Sequence, residues 1–157
     1  MKPVRLVSVG LLAAVLVIDS PAQAADGPEL SEEVFVKKPQ PTRGAVGSGR
    51  TSSGVFYEVL TRGSGAVPRR GDSVRVHYVG TFEDGRKFDS SRDRNEPLVM
   101  PLSRMIQGWQ DALEQMPVGS RWKLHVPSRL AYGARGAGNV IPPHTDLVFD
   151  VELLSIE

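Results

Sequence analysis

VHYVGTFEDGRKFDSSRDR, residues 76–94, is the stretch on which the reading of this chain turns. Its first half alternates β-formers with polar residues around Asp84-Gly85, a pair that favours tight turns, and so predicts a β-hairpin. The second half is unusual for a hairpin. Phe88 and Asp89 set an aromatic ring beside a carboxylate, and a highly charged run continues to Arg94. The rest of the chain has to supply the reason for delivering both groups to one neighbourhood.

Working outward, SVRVHYV places Val74, Val76 and Tyr78 on one face and Arg75 and His77 on the other, the period of a half-buried strand. VFYEVL, from Val55, reads as an earlier strand, followed by a loop punctuated by glycine and proline, GSGAVPRRGD. LVMPL, around Leu98, reads as a short strand at a sheet edge because Pro101 lacks the N–H a central strand needs. In IQGWQDALEQMPVG, Trp109, Ala112, Leu113 and Met116 recur at i, i+3, i+4 and i+7 and make one apolar helical stripe. Pro117 and Gly119 stop that helix. RWKLHVP then returns to alternation, with Trp122, Leu124 and Val126 inward. DLVFDVELLSI does the same with Leu147, Phe149, Val151 and Leu153. These elements predict an α+β domain, a mostly antiparallel sheet with one short helix against it.

The first 24 residues are expected to stand apart from that domain. Lys2 and Arg5, an apolar run from Leu6 to Ile18, and Ala22-Gln23-Ala24 are the three parts of a secretory signal peptide, with cleavage expected after Ala24. The run is shorter than the roughly 20 residues that span a bilayer, so no membrane anchor is expected after cleavage. Residues 25–53, rich in Pro, Gly, Ser and charge, read as a flexible linker, leaving 54–157 as the domain. The chain contains no cysteine, which excludes disulfides and thiolate chemistry. Its 19 basic and 18 acidic residues leave it near neutral, without the basic footprint of a nucleic-acid binder.

Common catalytic motifs are missing. The sequence shows no Gly-x-Ser-x-Gly elbow, phosphate loop or His-Glu-x-x-His zinc motif, and His77, His125 and His144 are widely spaced. What stands out is a set of aromatics on separate elements: Tyr78, Phe88, Trp109, Tyr132 and Phe149. They read either as plain core or as the lining of a ligand pocket. The two tyrosines favour the pocket, since a buried hydroxyl needs a partner. So does the long glycine-rich loop from Ala131 to His144, stiffened by Pro142-Pro143, because such loops often rim a site.

VHYVGTFEDGRKFDSSRDRNEP, IQGWQDALEQMPVGS and AYGARGAGNVIPPHTDLVFDVELL, in that order, closely resemble the FKBP family of peptidyl-prolyl cis–trans isomerases. The preceding SGVFYEVLTRGSG is similar to bacterial periplasmic members, including the Mip-like ones. The resemblance implies a five- or six-stranded antiparallel sheet wrapped around one short helix. It implies catalytic roles for Phe88, Asp89, Tyr132 and Phe149, and substrate contacts from Tyr78, Arg94, Ile106, Trp109, Val140 and Ile141. Trp109 would floor the pocket beneath the proline ring, the Ile106 N–H and Tyr132 hydroxyl would meet peptide carbonyls, and Tyr78 and Arg94 would hold Asp89. It further implies proline-containing polypeptides as substrates, macrolides as inhibitors, and no metal or cofactor. With only a short linker before the domain, a monomer acting in the periplasm or outside the cell is expected. The alternative function is a proline-peptide-binding chaperone module with little catalysis.

Overall fold

The computed structural model describes Pro39 and residues 41–157. The expected signal peptide and the first part of the linker lie outside the described residues. Strands β1 (Gly47–Arg50) and β2 (Phe56–Thr61) form a hairpin, followed by β3 (Ser73–Phe82), β4 (Lys87–Ser90) and β5 (Leu98–Pro101). Helix α1 (Gln107–Leu113) leads to β6 (Arg121–Val126) and, after a long loop, to β7 (Leu147–Ile156). The strands form one antiparallel sheet in the order β1-β2-β6-β7-β3-β4. β4 and β5 share the outer edge of β3: β4 pairs with Val79–Thr81 and β5 with Ser73–Val76. His77 and Tyr78 fall in the gap between those two pairings.

The alternation in the sequence becomes burial. Val74, Val76 and Tyr78 of β3, Leu124 and Val126 of β6, and Leu147, Phe149, Val151 and Leu153 of β7 are all buried against Trp109, Ala112 and Leu113 of α1 and the following Met116. A helix of 7 residues is too short to persist alone, so packing has to hold it. Burying each such aliphatic side chain is worth about 1.5–3 kcal/mol. Gly108 sets the distance between helix and sheet. A Cβ there would lie 2.5 Å from a Val126 methyl, so any larger residue would push the helix off its bed. The Ile106 carbonyl opens the helix by accepting the Trp109 and Gln110 N–H groups at 3.0 and 3.2 Å.

One part of the expected linker is strand instead. Gly47–Arg50 pairs in register with β2, Gly47 opposite Val59 and Arg50 opposite Phe56. Glycine weakens strands in isolation, which hides this one from any propensity argument. Here Gly49 is required by the neighbour, because a Cβ at that position would meet the Tyr57 hydroxyl at 2.5 Å. The turn that follows is tied by Thr51, whose Oγ accepts the Val55 N–H at 3.0 Å.

The opposite face of β2 holds a wholly buried carboxylate, Glu58. It accepts the Thr42 N–H, and its other oxygen pairs with His125 Nε2 at 2.8 Å. Lys123 completes the cover, reaching Thr42 Oγ at 3.1 Å. Burial alone would raise the Glu58 pKa, but the bonds from Thr42 and His125 and the Lys123 charge outweigh it and hold it below the ordinary value.

Candidate active site

The hairpin of β3 and β4 turns through Phe82–Gly85, closed by the Gly85 N–H on the Phe82 carbonyl at 3.0 Å, with Gly85 in the left-handed region at φ 88°. Its far strand, β4, places Phe88 and Asp89 at the outer edge of the sheet. There Asp89 lies opposite Gly80, and Gly80 in turn lies opposite Phe149 on β7. This crossing depends on glycine. A Cβ on residue 80 would sit 2.6 Å from the Phe88 ring and 3.1 Å from that of Phe149.

Four rings meet around this point. Phe88 stands edge-on to Phe149 with centroids 5.8 Å apart and planes at 88°. Phe149 stands edge-on to Trp109 at 5.2 Å and 89°. Trp109 then meets Tyr78 at 5.4 Å and 75°. Such perpendicular contacts each add about 0.5–1.5 kcal/mol beyond buried area and fix the ring orientations. Trp109 and Phe149 are wholly buried, so the part of this cluster facing solvent comes from half-buried Phe88, Tyr132 and Val140. A ligand reaches the Trp109 face only if one of these rim side chains gives way. Among the described residues the Trp109 Nε1 is buried without a hydrogen-bond partner, a polar atom within a mostly apolar cluster.

One carboxylate is held at the edge of the rings. Asp89 accepts the Tyr78 hydroxyl at 2.6 Å on one oxygen and Arg94 Nη1 at 2.5 Å on the other, and its side chain is 7% exposed. Arg94 Nη2 also donates to the Tyr78 oxygen at 3.3 Å, closing a three-membered network. Burial pushes the Tyr78 phenol well above its usual pKa, and the bond to Asp89 adds to the shift while Arg94 opposes it. Tyr132 is raised in the same direction, by burial first and then by Tyr78 and Asp89. Both phenols therefore stay protonated throughout the physiological range and keep a proton to donate. For Arg94, burial works to lower the pKa, but its bonds to Asp89 and Tyr78 leave it above the ordinary value.

The structure thus brings together, in direct contact, six of the residues singled out from sequence: Tyr78, Asp89 and Arg94 by hydrogen bonds, and Tyr78, Trp109, Phe149 and Phe88 by ring contacts. Ile106 is buried at the head of α1, Ile141 is buried on the loop, and Val140 and Tyr132 pack against the same cluster. The loop wall is held by a bridge between Ala137 and Ile141, each N–H on the other's carbonyl at 2.9 and 3.1 Å. Two residues at the site were not foreseen from sequence. Gly80 had a legible signal, a glycine inside a strand pattern, which points to close approach of a neighbouring group. Ser91 had none. His77 and His125 are taken up by Ser91 and Glu58.

An antiparallel sheet curled over one short helix, with a carboxylate anchored beside an aromatic cluster, defines a class of small folded domains, and comparison with known proteins says which. The sequence profile of FKBP-type peptidyl-prolyl cis-trans isomerases matches residues 65–154. The chain belongs to that family. It is 49% identical over 135 residues to the FKBP-type 22 kDa peptidyl-prolyl cis-trans isomerase of Escherichia coli, covering 86% of this chain and 62% of the relative. It is 55% identical over 107 residues to the FKBP-type peptidyl-prolyl cis-trans isomerase FkpA of Aeromonas hydrophila, covering 68% of this chain and 40% of the relative. Among solved structures, FkpA from Escherichia coli superposes with a TM-score of 0.68 at 40% identity, over 78% of this chain and 54% of that one. The chain therefore spans less than two thirds of the length of these relatives.

Proposed function

We propose that this protein accelerates cis–trans rotation about Xaa-Pro bonds in polypeptides, and that it does so on exported proteins, assisting their folding in the periplasm or outside the cell. The barrier is that of the amide itself, roughly 18–20 kcal/mol, because rotation breaks the resonance of the C–N bond. No covalent bond is made or broken, so the reaction asks for no nucleophile and no proton transfer. What lowers the barrier is preference for the twisted transition state over the planar ground state. The planar amide has the larger charge separation between oxygen and nitrogen, so removing water from its carbonyl penalises the ground state more. A million-fold acceleration corresponds to about 8 kcal/mol of such preference.

The residues fit those demands. Trp109, Phe149 and Phe88 offer an apolar enclosure for the proline ring once the rim opens. The Tyr132 hydroxyl, kept protonated, and the Ile106 N–H are suited to fixing the peptide carbonyls on either side. Asp89, fastened by Tyr78 and Arg94 next to Phe88 in β4, is assigned the orientation of the twisted amide. The single observation that carries this reading is the anchored Asp89 carboxylate at the edge of a perpendicular ring cluster. Macrolides would compete for the same enclosure. The export part of the proposal rests on Lys2, Arg5, the apolar run and Ala22-Gln23-Ala24. The test is isomerisation of a short Xaa-Pro peptide by the purified protein. Rate constants no higher than the uncatalysed ones, together with retained binding of the peptide, would sink the enzyme reading in favour of a binding module.

A further inference from the structure

We propose that Ser91 is a positioning residue of this site, whose hydroxyl fixes Tyr78 and whose backbone ties the segments carrying Asp89 and Arg94; the inference rests on the isomerase reading above. Its place in the sheet makes the role possible. β4 and β5 pair with the same edge of β3 but leave a gap at His77 and Tyr78. Ser91 fills that gap. Its N–H donates to the Tyr78 carbonyl at 3.0 Å, and its Oγ accepts the Tyr78 N–H at 2.8 Å, so one residue satisfies both backbone groups of Tyr78. A serine hydroxyl supplies the ladder bond that a strand partner would otherwise give.

The same residue reaches the other two members through the chain. Asp89 lies only two residues before it. On the other side, the Ser91 carbonyl accepts the Glu96 N–H at 3.1 Å, closing the turn on which Arg94 sits, with Asn95 in the left-handed region at φ 50°. Arg94 is thereby folded back over Asp89 instead of extending into solvent. Ser91 is wholly buried, and its hydroxyl also lies 2.9 Å from His77 Nδ1 and 3.3 Å from the Tyr78 carbonyl oxygen. The hydroxyl has one proton to give, so it serves either the ring or the carbonyl while still accepting from the Tyr78 N–H. The hydrogen bonds of Ser91 run to His77, Tyr78 and Glu96, so it acts on the site through Tyr78 and the turn that carries Arg94.

A residue that works through another gives a non-additive double mutant, whereas a general loss of stability gives an additive one. The experiment measures kcat and KM on an Xaa-Pro peptide for the full chain, Ser91→Ala, Asp89→Asn and the double variant. All rates are corrected for the folded fraction from denaturation curves. Ser91→Ala is expected to lower kcat/KM at least tenfold in the native background and less than twofold in the Asp89→Asn background. Ser91→Thr, which keeps the hydroxyl, should stay within threefold of the native rate. If Ser91→Ala does not fold, Ser91→Cys replaces it, since sulfur is a weak acceptor for the Tyr78 N–H. Equal losses in both backgrounds, or a native rate in the Ala or Cys variant, would overturn the inference. An inactive native chain would instead overturn the isomerase reading on which it stands.

Discussion

Replacing Asp89 by Asn tests the site most directly, because the geometry around that carboxylate allows the loss to be worked out. The Asp89→Asn amide would keep the size but present one acceptor oxygen and one NH2 group to two donors, now placed with Tyr78 Oη at 2.6 Å and Arg94 Nη1 at 2.5 Å from the carboxylate. One donor therefore loses its acceptor, and the charge-assisted bond becomes a neutral one. Hydrogen bonds to charged groups contribute about 1.5–3 kcal/mol, against about 1 kcal/mol for neutral pairs. Arg94 is 27% exposed and can recover water, so stability should fall by the lower part of that range, about 1–2 kcal/mol. If Asp89 orients the twisted amide, activity should fall further, since about 2–3 kcal/mol of lost transition-state preference is roughly 30- to 150-fold. Leu124→Ala is the control. That side chain is wholly buried in β6, opposite Phe149 on β7 but outside the Tyr78–Asp89–Arg94 hydrogen bonds, and its truncation should cost about 2–5 kcal/mol of stability. Activity per folded molecule should stay near native. Urea denaturation gives the folded fraction of each variant, and peptide isomerisation gives the rate. Full activity per folded molecule in Asp89→Asn would refute the role assigned to the end of this hairpin, leaving the rings to act alone.

Gly80→Ala should crowd the Phe88 ring, which a Cβ would approach to 2.6 Å, at a cost of about 1–3 kcal/mol and with a severalfold loss of activity. An unchanged peptide isomerisation rate would show that Phe88 moves aside freely. The Glu58 carboxylate, held below its ordinary pKa, contributes stability that is present above the unfolded value of about 4.3 and lost as pH falls through the folded one. Denaturation at pH 7 and at pH 3 should therefore show a smaller acid-induced loss for Glu58→Gln than for the native chain; equal losses would mean that the pairing with Thr42 and His125 carries no pH-dependent stability.

Much of this protein is written locally. Alternation along Val74–Tyr78, Trp122–Val126 and Leu147–Leu153, and the stripe from Trp109 to Met116, follow from the two- and 3.6-residue periods of strand and helix, so burial on one face is visible before any packing is known. The order of motifs around Phe88-Asp89, Trp109 and Tyr132 carried the family in the same way. What tertiary structure decided lies where a residue answers to a distant neighbour and not to its own segment. Gly47–Arg50 is a strand only because β2 offers it a ladder and Tyr57 lies across Gly49. Glu58 is buried only because Thr42 and His125 arrive from 16 and 67 residues away. Ser91 has the composition of a loop residue, yet it completes the sheet between β4 and β5, because only the assembled edge of β3 leaves Tyr78 with two backbone groups to satisfy. Side-chain period is a property of the local backbone and can be read from the chain. Satisfying a buried polar group requires its partner, and the fold alone determines which partner arrives.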